Sequence, residues 1–319
     1  MRTFLDFEKP VADLEGQIQE LRSLERSDAD NVSVTEEIAA LEVKAREALA
    51  NLYAKLTPWQ KTQVARHPDR PHAKHYLRRL ISDFEPLAGD RKFGEDRAII
   101  AGLGRFRGDP VAILAQEKGE DTQSRLERNF GMARPEGYRK AVRVMELADR
   151  FALPVISLVD TAGAYPGVGA EERGQAEAIA RSTEACLRLG VPNVAAIIGE
   201  GGSGGAIAIA TANRVYMLEH AIYTVISPEG AASILWRDSA RAQDAATAMK
   251  ITAADLLNLK IIDGIVEEPL GGAHRDPEKV IDRAGEVIGA ALKDLAGLNR
   301  ADILRLRREK FLAIGRSIQ

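Results

Sequence analysis

Cysteine is nearly absent from this 319-residue chain. Cys186 stands alone, which excludes a disulfide framework and any zinc site built on several thiolates of the chain. An excess of one charge is also lacking. Lys and Arg number 44 against 47 Asp and Glu, a net charge of −3, so the strong basic excess of a general nucleic-acid coat is missing. No apolar run approaches about 18 residues, and the opening MRTFLDFEKP has no apolar signal region. Mean hydropathy is −0.19. These lacks predict a soluble protein of a reducing compartment, the cytoplasm, with neither membrane nor nucleic acid as partner. What is present is 45% hydrophobic residues, enough at this length for a substantial core.

The apolar residues fall into two regimes. Val11, Leu14, Ile18 and Leu21 recur every three or four positions, and Ile38, Leu41, Ala45, Ala48 and Leu52 do so again after the polar SDADNVSVTEE. Each set forms one stripe on a helix, and two stripes predict a helical hairpin, its second helix starting near Ser33 or Thr35. From Leu56 to Arg79 the text turns basic, with His67, Arg70, His72 and His75, and reads as solvated surface or a subunit contact. Pro68 and Pro71 interrupt any regular metal-binding face there. Beyond Asp90, apolar runs at 97–103, 110–115, 154–160, 193–199, 214–219, 222–226 and within 261–268 read as strands. Helices are predicted at 135–151, 171–190, about 204–212, from Pro228, and over most of 276–316. This alternation implies an α/β fold with right-handed crossovers. The division expected is 1–80, a helical hairpin and basic connector, and 81–319, an α/β domain.

One turn is richer in information than the rest. Gly199-Glu200-Gly201-Gly202-Ser203-Gly204-Gly205-Ala206 lies between a buried strand and a short helix. Glycines there allow positive φ and leave backbone N–H groups uncovered at a helix N-terminus, where an anion or developing oxyanion can bind. Three chemistries fit. Gly199, Gly201 and Gly204 satisfy G-x-G-x-x-G, with Glu219 about 20 residues on as a ribose-binding acid of a dinucleotide site. Gly201 to Gly205 also reads G-x-S-x-G, with Ser203 as nucleophile and Asp263 and His274 following in the order of a triad. The third chemistry uses backbone donors alone. Asp160 to Gly167 and Ser227-Pro228-Glu229-Gly230 are two further turns at strand ends, and together the three would line a polar crevice suited to enolate chemistry.

Longer blocks carry a resemblance. They are Leu87 to Arg91, Arg128-Asn129-Phe130-Gly131-Met132, Pro135 to Ala141, Gly163 to Gln175, Gly199 to Ala206, Ile226 to Gly230, and Gly271-Gly272-Ala273-His274-Arg275. In order across nearly the whole chain, they closely resemble the alpha-subunit family of the bacterial multisubunit acetyl-CoA carboxylase carboxyltransferase. The resemblance implies a crotonase (ClpP/crotonase-like) fold of repeated β-β-α units. It implies an α2β2 assembly in which a beta subunit supplies the other half of the site and carries the zinc. It also implies that carboxybiotin arrives on the biotin carboxyl carrier protein, after a biotin carboxylase step, and that acetyl-CoA becomes malonyl-CoA for fatty acid synthesis. No cofactor would be bound covalently by this chain.

On that footing the N–H groups of Gly204, Gly205 and Ala206 are expected to form the oxyanion hole for biotin. Gly163 and Ala164 would face them, and Gly201 and Gly202 would line the substrate, with no metal ligand. The alternatives are a serine hydrolase or stand-alone crotonase-type enzyme acting on acyl-CoA, and a scaffold without catalysis. Ala162 and Ala133 stand where the family pattern has proline, and Glu120 where it commonly has arginine. Lys118 reads equally well as a solvated lysine. The run Arg125, Arg128, Arg134, Arg139 and Lys140 reads first as surface ion pairs and second as contacts to phosphates or carrier.

Overall fold

The computed structural model describes residues 3–25 and 32–316. Its strands are β1 (Ile81–Pro86), β2 (Ile99–Phe106), β3 (Asp109–Gln116), β4 (Val155–Thr161), β5 (Asn193–Gly202), β6 (Arg214–Leu218), β7 (Ile222–Thr224) and β8 (Gly264–Val266). They form one sheet in the order β1-β2-β3-β4-β5-β6-β8, with β7 paired to β5. The first two pairings are antiparallel and the rest parallel. Arg107 and Gly108, both with positive φ, make the two-residue loop between β2 and β3. On one edge of β5, β6 pairs with Val194–Ile197 and β7 with Glu200–Gly202, so the sheet splits where β5 approaches its end.

The helices are α1 (Lys9–Glu25), α2 (Val32–Tyr53), α3 (Pro58–Ala65), α4 (Ala73–Leu80), α5 (Thr122–Glu127), α6 (Pro135–Arg150) and α7 (Val168–Glu172). After them come α8 (Gln175–Arg188), α9 (Ser203–Ala210), α10 (Pro228–Trp236), α11 (Ala242–Ala248), α12 (Ala253–Asn258), α13 (Pro277–Leu295) and α14 (Arg300–Ala313). Every residue of β4 and β5 is buried, the polar Ser157, Asp160, Asn193 and Glu200 among them, which only helices on both faces can satisfy. On one face Ser182 of α8 bonds the Ala208 carbonyl of α9 at 2.6 Å, and Cys186 meets Met145 of α6. On the other, Tyr76 and Leu77 of α4 and Ile288 of α13 close over Ile113, Ile156 and Leu158.

The hairpin forms as the spacing predicts. Ile18, Ile38 and Ala45 make its own small core, and Val11, Leu49 and Tyr53 pack with Val64 of α3. The second helix starts at Val32, ahead of both expected starts; 27–31 of the polar break lie outside the described residues.

Two expectations are corrected. His67, Arg70 and His72 are not solvated but 2%, 3% and 7% exposed, because their partners, such as Glu268 for Arg70, come from far along the chain. The helix expected at 171–190 is two helices, α7 and α8, broken at Gly174 with φ +79°. Strand β1 was not anticipated. It is a bulged edge strand with the burial pattern of neither a strand nor a helix. Among the described residues no helix is long and apolar enough to cross a membrane.

Candidate active site

Strands β4 and β5 run parallel and end together, with Thr161 paired to Gly201. Beyond Thr161 the chain turns through Ala162, Gly163 and Ala164; beyond Gly202 it enters α9. A Cβ on Gly202 would collide with the Ala162 carbonyl, and one on Gly205 would lie 2.7 Å from the Gly163 carbonyl carbon. These glycines therefore serve close backbone approach. The positive φ expected of the turn falls on Ser203 instead, at +54°. Gly201 and Gly202 are held in the sheet against β7, Gly205 and Ala206 are buried, and Ser203, Gly204 and Ala164 are half-buried.

The donors can be ordered by helix register. With Gly202 as N-cap, the amides of Ser203, Gly204 and Gly205 precede the first intrahelical acceptor, whereas that of Ala206 is the first to reach back into the helix. The Gly205 carbonyl accepts from Gln116 Nε2 at 2.7 Å, which fixes this first turn to the end of β3. Across the gap, the Gly163 amide donates to Thr161 Oγ1 at 3.1 Å, and that hydroxyl donates to the Gly163 carbonyl at 2.7 Å. The loop facing α9 is thus pinned by its own strand. In the third turn Ser227 Oγ accepts from the Gly230 amide at 3.1 Å and caps α10.

A cleft of about 220 Å³ opens beside these turns, bounded by Ala162, Phe130, Arg125, Arg66 and His72. Its floor is ionic. Lys118 Nζ lies 2.8 Å from Asp160 Oδ1 and 2.7 Å from Glu200 Oε2. Arg66 Nε lies 2.7 Å from Glu200 Oε1, and its Nη1 lies 2.6 Å from Glu229 Oε1. Burial alone would push the Asp160 and Glu200 carboxyls up, but Lys118 beside both, with His72 or Arg66, holds them well below the usual range. Burial would likewise push Lys118 down, and the two carboxylates hold it up instead. Lys118 is therefore no solvated lysine. Both ring nitrogens of His72 are buried without a hydrogen-bond partner, and Nδ1 stands 3.7 Å from Asp160 Oδ2.

Two of the sequence readings lose their geometry here. Asp263 accepts from the Val215 amide at 2.6 Å and pairs with Lys310, at the opposite end of the sheet from Ser203. His274 stacks on His67 with ring centroids 3.7 Å apart. Ser203 has the strained backbone of a nucleophile elbow without its triad. For the dinucleotide reading, the strand order runs monotonically through β5, so no topological switch point lies there. Glu219 is occupied with the Glu268 amide at 3.1 Å.

Glu8, His67 and His274 bring ligand atoms within 4.8 Å of one another. The two imidazole planes are only 9° apart, so their in-plane lone pairs cannot converge on one ion. His67 is also committed on both nitrogens, to the Thr3 carbonyl and the Asp69 amide.

In the basic run from Arg125, Lys140 is buried and Arg125, Arg128, Arg134 and Arg139 are half-buried. Arg139 pairs with Asp90 and Glu136, Lys140 with Glu95, and Arg134 stacks over Tyr165. Glu120 stands 3.4 Å from His75 Nε2. The residues that sequence reasoning missed are Arg66, Lys118, Asp160 and Glu200 as one network, since nothing in their spacing links positions 66, 118, 160 and 200.

The chain is similar to known proteins along its full length. The family model described as acetyl co-enzyme A carboxylase carboxyltransferase-like matches residues 4–315. The acetyl-coenzyme A carboxylase carboxyl transferase subunit alpha of Xanthobacter autotrophicus is 70% identical over 318 residues, 100% of both chains. That of Rhizobium johnstonii is 66% identical, again over 100% of both. Among solved structures, a transcarboxylase 12S with methylmalonyl-coenzyme A and methylmalonic acid bound matches 71% of this chain and 42% of its own, at 20% identity and TM-score 0.58. A Pseudomonas malonate decarboxylase hetero-tetramer in complex with coenzyme A matches 71% of this chain and 92% of its own, at 21% identity and TM-score 0.57. Both likenesses are of fold, and it is the crotonase-type α/β fold.

Proposed function

The chain belongs to the acetyl-CoA carboxylase carboxyltransferase family, and from that membership we propose that the α9 turn is the biotin-side half of its transfer site. Its activity is carboxyl transfer, as a subunit of acetyl-CoA carboxylase. In the reading favoured here, carboxybiotin enters on its carrier protein and a beta subunit holds acetyl-CoA on the facing side, in an α2β2 assembly in the cytoplasm. Any zinc belongs to that partner.

The chemistry asks for donors rather than a nucleophile. As the N–C bond to the carboxyl breaks, its electron pair stays on the ureido group, and negative charge builds on the ureido oxygen. The freed nitrogen takes the proton from the methyl carbon of acetyl-CoA, and the resulting enolate forms the new C–C bond to the carboxyl carbon. The amides of Gly204 and Gly205, at a helix N-terminus, suit the ureido oxygen, with Ala206 closing the turn behind them. Gly163 and Ala164 form the facing wall, Gly163 by its shape rather than its committed amide, and Gly201 and Gly202, held in the sheet, lead the chain into the turn on the substrate side. The observation that carries this reading is the contact of Gly205 with the Gly163 carbonyl carbon, 2.7 Å from where a Cβ would stand. It holds two strand-end loops together by backbone alone.

The test uses the chain co-purified with its beta subunit and assayed for malonyl-CoA formation. Gly205→Val is expected to lower turnover by about 10²–10³, the cost of losing one donor in comparable holes, while Ser203→Ala keeps it. Intact turnover in Gly205→Val overturns the reading. Lost turnover in a folded Ser203→Ala would favour a serine hydrolase, and activity of the chain alone would contradict a shared site.

A further inference from the structure

The three turns at the strand ends each contribute one acid, and two cations join those acids in series. Asp160 is the last residue but one of β4, Glu200 lies in β5 just before Gly201 and Gly202, and Glu229 stands in the first turn of α10. Lys118, from the segment after β3, bridges Asp160 and Glu200; Arg66, from the end of α3, bridges Glu200 and Glu229. The Glu200 amide also donates to Asp160 Oδ1 at 2.9 Å.

Two glycines make room for this chain of charges. A Cβ on Gly199 would lie 2.5 Å from Asp160 Oδ1, and one on Gly131 would lie 2.9 Å from Lys118 Cγ. The positive φ of Gly131, +81°, follows two residues that are also left-handed, Asn129 and Phe130. Backbone strain is thus concentrated where Lys118 passes beneath the cleft.

Stability alone does not call for such an arrangement. Buried ion pairs are costly to desolvate, and well-packed apolar replacements are often equally stable. What a series of pairs at 2.6–2.8 Å does supply is fixed distance among the three turns, in addition to the backbone contact that already joins the first two. We propose that Lys118 and Arg66 are positioning residues, which hold the three turns in register so that the α9 amides and the facing loop meet the reacting group at one geometry. This rests on the reading of the α9 turn as the biotin-side site. A misplacement of about 1 Å at such a site costs about 10²-fold in rate without loss of binding elsewhere.

The experiment uses the complex with the beta subunit and four variants: Lys118→Met, Arg66→Met, Glu229→Gln and the Arg66→Met/Glu229→Gln double. Lys118→Met is expected to lower kcat about 10²-fold, with KM for acetyl-CoA within about twofold of wild type. Arg66→Met and Glu229→Gln are expected to lower kcat less. Their double variant should cost no more than the worse single, because both cut the same link. If Lys118→Met fails to fold, the half-exposed Arg66–Glu229 arm still decides: unchanged kcat there, or additive losses, overturns the proposal. A fall in melting temperature with kcat intact makes the network structural only and likewise overturns it. If kcat survives Lys118→Met but not Gly205→Val, the clamp falls and the turn reading stands; if it survives both, both fall.

Discussion

Gly199 lacks a side chain because the Asp160 carboxylate occupies the place where one would go, 2.5 Å from an ideal Cβ. Gly199→Ala is therefore expected to push that carboxylate off both the Glu200 amide and Lys118. Turnover of the complex should fall at least about tenfold while assembly with the partner, followed by size-exclusion chromatography, is kept. Arg307 makes the opposite point, a large polar group placed where none is expected. It is fully buried, and burial pushes its guanidinium down to about 10. Its hydrogen-bond partners are all neutral: Asn193 Oδ1 at 3.0 Å, the carbonyls of Leu187, Leu189 and Val191, and Asn213 Oδ1. Arg307→Leu strips the arginine from all five acceptors, of which the two asparagine oxygens keep each other's backbone amides, and is expected to cost about 2–4 kcal/mol in chemical denaturation. Arg307→Lys should recover little, since an ammonium has three donors and no planar fork.

Elements are held to one another by such anchors as much as by apolar area. The α1–α2 hairpin meets the body through Tyr53, whose ring stands edge-on to His220 with centroids 5.4 Å apart, while its hydroxyl donates within the hairpin to Glu8 at 2.9 Å. Arg275 pairs with Glu15 at 2.6 Å, and the His67–His274 stack lies beside them. Burial, then the neighbouring His67 and Arg275, pushes His274 down to about 3; burial also lowers His67 and His220. These imidazoles are neutral in the fold, whereas in the unfolded chain they take a proton near pH 6.5. The stability they contribute is thus complete above pH 6.5 and is lost as pH falls from there toward 3. Amide exchange across α1 and α2 is expected to accelerate in this window before that of β4 and β5 changes, and His274→Gln should flatten the dependence. Equal acceleration in the hairpin and the strands would contradict a local anchor.

At the scale of the molecule, a second acid step is expected. Burial would raise Glu268, but Arg70 beside it holds the carboxyl down to about 2, and Asp160 and Glu200 are also lowered. Depressed carboxylates contribute stability above about pH 4.5 that disappears as pH falls through 2, so global unfolding followed by circular dichroism should be centred below the hairpin transition. The same scale shows what sequence could convey. Strands β4 and β5 were legible because burial on both faces leaves their middles mostly apolar without a period of two, and α1 and α2 because a stripe repeats every three or four residues. The α9 turn was legible as glycines, although their purpose proved to be close approach and the left-handed residue proved to be a serine. Strand β1 was not legible, since an edge strand with four exposed or charged positions in six carries no period. Nor was the Lys118 network, whose members are joined only by folding.

The monotonic strand order has a bearing on how the chain is made. From β1 to β6, each strand along the sheet's path finds the one beside which it belongs already synthesised and waiting. Nothing must be threaded between finished strands, although one face of the sheet is covered in part by α13, which is made after all of them. A ribosome can thus lay this sheet down from one side to the other. The α9 turn, at the end of β5, then completes only after both loops it touches have left the exit tunnel.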